Sequence, residues 1–570
     1  MNVAHALVQM LVDYDVRHIF GVPGDTTMAL YDALYHARDR LTHVMGRDER
    51  SMAFAADAYA RLTGRPGICE GPSGGGATYI VPGVAEAHGS SVPMVVLTSD
   101  VPVVDEGQGT LTAIDQARLL EAATKWRAVV KRPEMLPDLV RRAFRQACTG
   151  RTGAAHLVLP EDVLDEAVNG ADLRVEPACQ RAPAHRTQAP ATVLGEMVDR
   201  LCAARRPMIV AGGGVLLSGA WDELTRLADL LAVPVGTTIN GKGAIAETHP
   251  FSVGVVGGNA GRPYANRLLS ESDCILYVGT KINTLVTLDR TVPRPDADVT
   301  VLQIDVDAAQ LGNTLAVTAA GCGDAKASLA VMADLAANQT QPRRDRDPEH
   351  LRKLATGFWE AAAERASSDE MPLTPQRIVD ALRRTTDDAV LVVDPGTMTP
   401  FVGALFPLTR PGRQTVIPRA HGGLGYAIPA SVGAAFARPD QPVVAVTGDG
   451  SFGMSATELE TIARLRLPVT VVQFTNGTFG WIKMLQKLYF DERYFGVDFS
   501  PDTNYVGVAE AFGVNGVRIE DPDQLEPAMR KALDSKEPWF IDVPARSELE
   551  EPTPVHAWQR AVSAPEVGGI

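Results

Sequence analysis

The chain has 570 residues, 45% of them hydrophobic and 22% charged, the balance of a soluble globular protein with room for three cores. Its formal net charge of −15 argues against a nucleic-acid partner, which needs a basic face. No apolar run approaches the roughly 18 residues of a membrane helix, the six cysteines form no CxxC pair, and Met1-Asn2-Val3-Ala4-His5 carries no basic leader, so a cytoplasmic protein with no membrane contact, disulfide framework or zinc site is expected.

Along the chain, residues 3–14 have helical apolar spacing, and 16–20 reads as a strand entering the turn Gly21-Val22-Pro23-Gly24. Strands follow at 67–70, 94–98 and 155–159, with helical segments between them. Residues 170–192 have no clear period and read as a linker. A second block starts with a buried strand at 207–211 running into Gly212-Gly213-Gly214, then strands at 233–238, 274–278 and 299–305. A polar stretch, 338–350, reads as a second linker. The third block starts near Thr374, with strands at 389–393, 443–447, 469–475 and 539–543; the acidic tail after Ser547 is assigned no element. Strands alternating with helices predict an α/β protein of three doubly wound parallel-sheet domains, at 1–168, 190–337 and 371–546. The first and third blocks share a layout.

Two polar clusters stand out in the third block. The strand at 443–447 runs into Gly448-Asp449-Gly450-Ser451, and that at 469–475 into Asn476-Gly477-Thr478-Phe479-Gly480. Twenty-five residues, 451 to 475, separate Gly450 from Asn476, the length of one helix plus one strand. Both clusters therefore sit at the carboxyl edge of the sheet, where open α/β sheets bind ligands. Their chemistry fits Mg²⁺ holding a diphosphate: Asp449 offers a carboxylate, Asn476 an amide oxygen and Thr478 a backbone carbonyl, with water and phosphate oxygens completing the shell. Gly448 and Gly450 let the backbone approach the phosphates, and the N–H groups of Gly450 and Ser451 are expected to point at them.

These residues resemble the thiamine-diphosphate enzyme superfamily of acetolactate synthase, benzoylformate decarboxylase and pyruvate decarboxylase, whose motif is Gly-Asp-Gly followed by Asn. The layout is most similar to acetolactate synthase large subunits. The resemblance implies thiamine diphosphate and Mg²⁺ as cofactors, with Asp449, Asn476 and the Thr478 carbonyl on the metal. Asp48-Glu49-Arg50 and the helix after it resemble the family's first-domain segment, which makes Glu49 the acid that polarises the aminopyrimidine ring; Asp48 stands where the family usually has His. Gly74-Gly75-Gly76 resembles the family's Gly-Pro-Gly loop against the pyrimidine and substrate. Gly422 and Leu424, in His421-Gly422-Gly423-Leu424-Gly425, match the segment that bends the cofactor, with Leu424 as the wedge. Gly396 and Thr397 end another strand and are candidates to hold the diphosphate.

The reaction is less constrained. Gly21-Val22-Pro23-Gly24-Asp25 resembles the pyruvate decarboxylase opening, where the Asp is catalytic; Asp25 is equally a turn or helix-cap residue. His421 either faces the thiazolium or packs at its turn. The paired histidines of that decarboxylase are missing from 101–109, and Leu111-Thr112 and Leu485 replace the Phe-Gln and Trp of acetolactate synthases. The resemblance therefore implies a carboligase or lyase that takes an acyl-anion equivalent, carried as an enamine, from a 2-oxo acid or 2-hydroxy ketone to an acceptor such as an aldehyde. The alternatives are a non-oxidative 2-oxo acid decarboxylase and a catalytically inactive binding subunit. In the central domain, Lys281-Ile282-Asn283-Thr284 replaces the segment that helps hold FAD in acetolactate synthases, so FAD is permitted but not favoured. The family places the acid and the metal motif in different subunits, which implies a homodimer or homotetramer.

Overall fold

Each block folds around a six-stranded, all-parallel sheet, because runs such as Val443–Gly448 and Ala154–Pro160 are buried along their whole length and need cover on both faces. The computed structural model describes residues 1–294, 298–339, 345–386, 388–551 and 553–563. The first sheet runs in the order Thr42–Met45, His18–Gly21, Gly67–Gly71, Met94–Asp100, Ala154–Pro160, Trp126–Val129. The third runs Thr415–Val416, Val390–Val393, Val443–Gly448, Val469–Thr475, Trp539–Pro544, Asn515–Arg518, which is the same topology. The central sheet differs. Its order is Ala319–Cys322, Thr300–Asp305, Cys274–Val278, Pro207–Ala211, Val235–Thr237, Ser252–Val255, the dinucleotide-binding order read from its far edge.

The four inner strands of every sheet coincide with the four predicted runs, shifted by up to two residues. The six outer strands were not anticipated. They are short and exposed at least in part: Trp126–Val129 is half-buried throughout, and Asn515–Arg518 has both ends in solvent. An edge strand buries too little to leave a continuous apolar run.

Two predicted linkers are corrected. In 170–192, Leu173, Val175, Ala182 and Ala184 pack against the first core and Cys179 is buried within it, so this segment is a strap, not a tether. The stretch 338–350 lies partly outside the described residues, and a helix, Pro348–Ala366, starts inside it, capped by Asp347, whose carboxylate accepts from the N–H of His350 at 2.8 Å.

Helices Glu49–Thr63 and Ala427–Ala437 join the first and third sheets into one core. Both are buried nearly all round, as a helix apolar on every face must be. Small side chains let them touch: a Cβ at Gly433 would lie 1.9 Å from the Ala55 carbonyl oxygen. A buried polar network crosses the junction. Arg61 donates to Asp57 at 2.7 Å and to Glu86 at 3.0 Å, the Tyr426 hydroxyl donates to Asp57, and Glu86 accepts from the His421 N–H at 2.7 Å. Among the described residues, no helix is long and apolar enough to cross a membrane.

Candidate active site

In the third sheet Gly448 pairs with Phe474, so Asp449 and Asn476 leave neighbouring strand tips. Asp449 opens the helix Asp449–Ser455 and is buried. One of its oxygens accepts from the N–H groups of Asn476 at 3.0 Å and Gly477 at 2.6 Å; the other accepts from Gly450 at 2.9 Å. Burial pushes this carboxyl up to about 6 against those donors, and the charge of Glu548 acts in the same direction. One detail departs from expectation: the Gly450 N–H serves Asp449 instead of pointing outward. The Ser451 hydroxyl donates to Asp394 at 2.8 Å.

A cavity of about 310 Å³ opens over these tips. Gly396, Thr397, Gly422 and Leu424 line it together with Gly448, Asp449, Gly450, Ser451, Asn476 and Thr478, so one pocket gathers every residue expected on the diphosphate side. Thr478 is held by two bonds: its N–H donates to the Asn476 amide oxygen at 3.3 Å and its hydroxyl to the Val497 carbonyl at 2.9 Å. The donors at the tips are oxygens, a set that suits a hard divalent cation.

The sequence reading missed several residues here. Asp394 is fully buried and accepts from Gly425 at 3.1 Å and Ala427 at 2.9 Å, which fixes the loop carrying Leu424. An acid ending an apolar strand before Pro-Gly was the signal for it. Trp481 lines the cavity and packs on Trp558 with ring centroids 4.5 Å apart. Glu548 enters from the unassigned tail, with nothing in the sequence to mark it.

Glu49 belongs to a different place. It is the first residue of its helix, and Asp48 caps that helix, its carboxylate accepting from Arg50 at 2.7 Å and Ser51 at 3.3 Å. A capping role explains an acid at the position where relatives carry His. Glu49 is 9% exposed. Burial raises its pKa above the ordinary 4.5; its own N–H opposes this, and the charges of Asp48 and Glu70 add to it. The glycine-rich loop abuts it, since a Cβ at Gly76 would lie 3.0 Å from its carboxylate. Asp25 is exposed in a short helical turn capped by Gly24, so it is not the cap; it accepts from Thr26 at 2.9 Å. His421 is also exposed, held only by its backbone to Glu86. None of Glu49, Asp25 and His421 lines the cavity. Arg50, next to Glu49, donates to the Met454 carbonyl at the far end of the Asp449 helix.

A second cavity, of about 400 Å³, lies where the strand order of the central sheet reverses, bounded by Gly213, Gly214, Lys281 and Asp305. The Lys281 ammonium donates to the Gly89 carbonyl of the first block at 2.6 Å.

Family models match the chain in three stretches: thiamine pyrophosphate enzyme N-terminal TPP binding domain over residues 1–119, central domain over 194–332 and C-terminal TPP binding domain over 394–543. The chain is 34% identical over 559 residues to a probable acetolactate synthase large subunit of Methanococcus aeolicus, covering 95% of this chain and 92% of the relative. It is 34% identical to the acetolactate synthase large subunit of Parasynechococcus marenigrum (95% and 87% covered) and 31% identical to the acetolactate synthase isozyme 2 large subunit of Escherichia coli (97% of each). With the strand-tip cavity and end-to-end matches of this kind, the chain belongs to the thiamine pyrophosphate enzyme family, as an acetolactate-synthase-like enzyme of carbon–carbon bond chemistry.

Proposed function

We propose that the protein is a Mg²⁺-dependent carboligase or lyase that takes an acyl group from a 2-oxo acid or 2-hydroxy ketone and delivers it to a small carbonyl acceptor. The observation that carries this is the meeting of Asp449 and Asn476 at adjacent strand tips, inside a cavity that Thr397 and Leu424 share. When bound, thiamine diphosphate supplies the carbanion chemistry at its thiazolium carbon. The chain's own residues divide the rest. Asp449, Asn476 and the Thr478 carbonyl hold the cation, Gly396 and Thr397 meet the diphosphate, and Leu424 sets the bend. Glu49, its proton affinity raised by burial, holds a proton at the pyrimidine ring. The survival of both the metal set and the acid supports an active enzyme over an inactive subunit.

Glu49 reaches a cavity through a second copy of the chain. In one chain it lies beyond the Asp449 helix from the metal side, while large apolar side chains such as Phe495 (88% exposed) and Leu111 (84%) lie uncovered. A homodimer is the smallest unit this allows, and a homotetramer is compatible with it. For the central cavity we infer a flavin-free state, because Lys281 is committed to the first block; a flavin band near roughly 450 nm in the purified protein would overturn that.

Calorimetry of the folded protein with thiamine diphosphate, with and without Mg²⁺, tests the site. Mass spectrometry of products from a panel of 2-oxo acids, with and without aldehydes, tests the reaction. Hydroxy ketones or acetohydroxy acids are expected; free aldehyde alone would convert the reading to a simple decarboxylase. A fully active monomer by sedimentation would overturn the shared site.

A further inference from the structure

The acidic tail puts a second carboxylate into the metal-side cavity. Glu548 lines it, is 5% exposed, and lies beyond the family match that ends at residue 543. It accepts from the Asn476 side-chain nitrogen at 3.3 and 3.2 Å, and from the Thr397 side chain as well. Its seat is built for it. A Cβ at Gly480 would lie 1.9 Å from one of its oxygens, so any larger residue there would push the carboxylate out of its present place. Gly480 also opens the ten-residue helix Gly480–Tyr489, whose N-terminal end favours an anion.

The consequence falls on Asn476. A side-chain amide has one donating end and one accepting end, and only the oxygen can bind a cation. With Glu548 on the nitrogen, the oxygen must turn the other way, where it meets the Thr478 N–H at 3.3 Å. A flipped amide would set its oxygen against a carboxylate. Through Thr397 the same carboxylate spans two strand tips, those of Val390–Val393 and Val469–Thr475.

We propose that Glu548 is a positioning residue for the metal site: it fixes the Asn476 amide with its oxygen toward the cation and ties Thr397 to the same tip. This rests on the reading that Asp449 and Asn476 hold Mg²⁺. Partners behind a metal ligand typically govern affinity by 10–100-fold.

The test is calorimetric titration of Mg²⁺ into full-length protein with thiamine diphosphate, for wild type, Glu548→Gln and Glu548→Leu, alongside thermal unfolding of each apo form. Glu548→Leu is expected to weaken Mg²⁺ about tenfold or more. Glu548→Gln, whose carbonyl still accepts from the Asn476 nitrogen, is expected to recover most of that loss, a rescue that a packing role would not single out. If the Leu variant fails to fold, Glu548→Asp takes its place: one methylene short, it is expected to lose what Gln keeps. Unchanged Mg²⁺ affinity in the Leu or Asp variant would overturn the inference alone. So would tighter binding, which would make Glu548 an occupant of the diphosphate seat. Absence of Mg²⁺-dependent uptake by wild type would overturn the reading of the whole site, and this inference with it.

Discussion

The first and third sheets have one topology and opposite chemistry at their tips. The third ends in a carboxylate wrapped by three backbone N–H donors, an amide and a glycine-rich turn, the arrangement on which the proposed cation site rests. The first carries Glu49, buried beside the glycine-rich loop, its pKa raised by that burial and by the charges of two other acids, Asp48 and Glu70. Burial raises both carboxyls, so burial alone does not separate ligand from acid. What separates them is the balance of neighbours: three backbone N–H donors against one like charge, Glu548, at Asp449, and a single N–H, its own, against two like charges, Asp48 and Glu70, at Glu49. One backbone plan thus carries two different carboxyl environments through a few residues at strand ends.

This contrast can be broken or sharpened by substitution. The largest effect is expected from Glu49→Gln, which removes the acid and leaves the metal side intact: turnover should fall by about 10²–10⁴, while calorimetric uptake of Mg²⁺ and thiamine diphosphate persists. Turnover near that of wild type would remove Glu49 from the mechanism. Arg61→Met strikes what the two sheets share. It leaves Asp57 and Glu86 buried without their cation, and denaturant unfolding should report a loss of about 3–5 kcal/mol. Asp449→Asn is the mirror of the Glu49 variant: Mg²⁺-dependent cofactor affinity should drop about 100-fold, while its amide oxygen still accepts from the backbone N–H groups and most of the apo protein's thermal stability is kept. Asp48→Ala removes only a helix cap and should cost about 1 kcal/mol, with Mg²⁺ affinity unmoved.

The smallest effect is one of pH. Because the folded value of Glu49 is raised, its contribution to stability is present below the unfolded value of 4.5 and is lost as pH rises through the folded value. Glu49→Gln cannot titrate, so relative to wild type it should gain stability across that window. A difference between the two proteins that stays flat with pH, measured by denaturant unfolding, would mean that Glu49 is not raised.

Much of this was legible in the chain. The twelve inner strands announce themselves because a strand buried on both faces is apolar along most of its length, as in Val390–Val393. The metal-side residues are legible because each stands one to three positions after such a strand, and strand ends are where parallel sheets offer ligands. The six edge strands, the packed strap at 170–192 and the helix Pro348–Ala366 were not, since half-exposed elements keep ordinary polar composition. Nothing local marks Asp57, Arg61 and Glu86 as buried; only their meeting beneath Tyr426 makes them a network.

By itself, then, the sequence determined the three parallel sheets, the cofactor family and the set of residues that meet at the strand tips of the third, because these depend on runs and spacings within about 30 residues, one helix plus one strand. The tertiary structure alone decided that Glu49 and Asp25 stand apart from that grip in one chain, that Asp394 holds the Leu424 loop, and that Glu548 returns from the tail to Asn476. Those relations join residues dozens to hundreds of positions apart, and nothing local in the chain records which distant carboxylate will face which amide once the cores have closed.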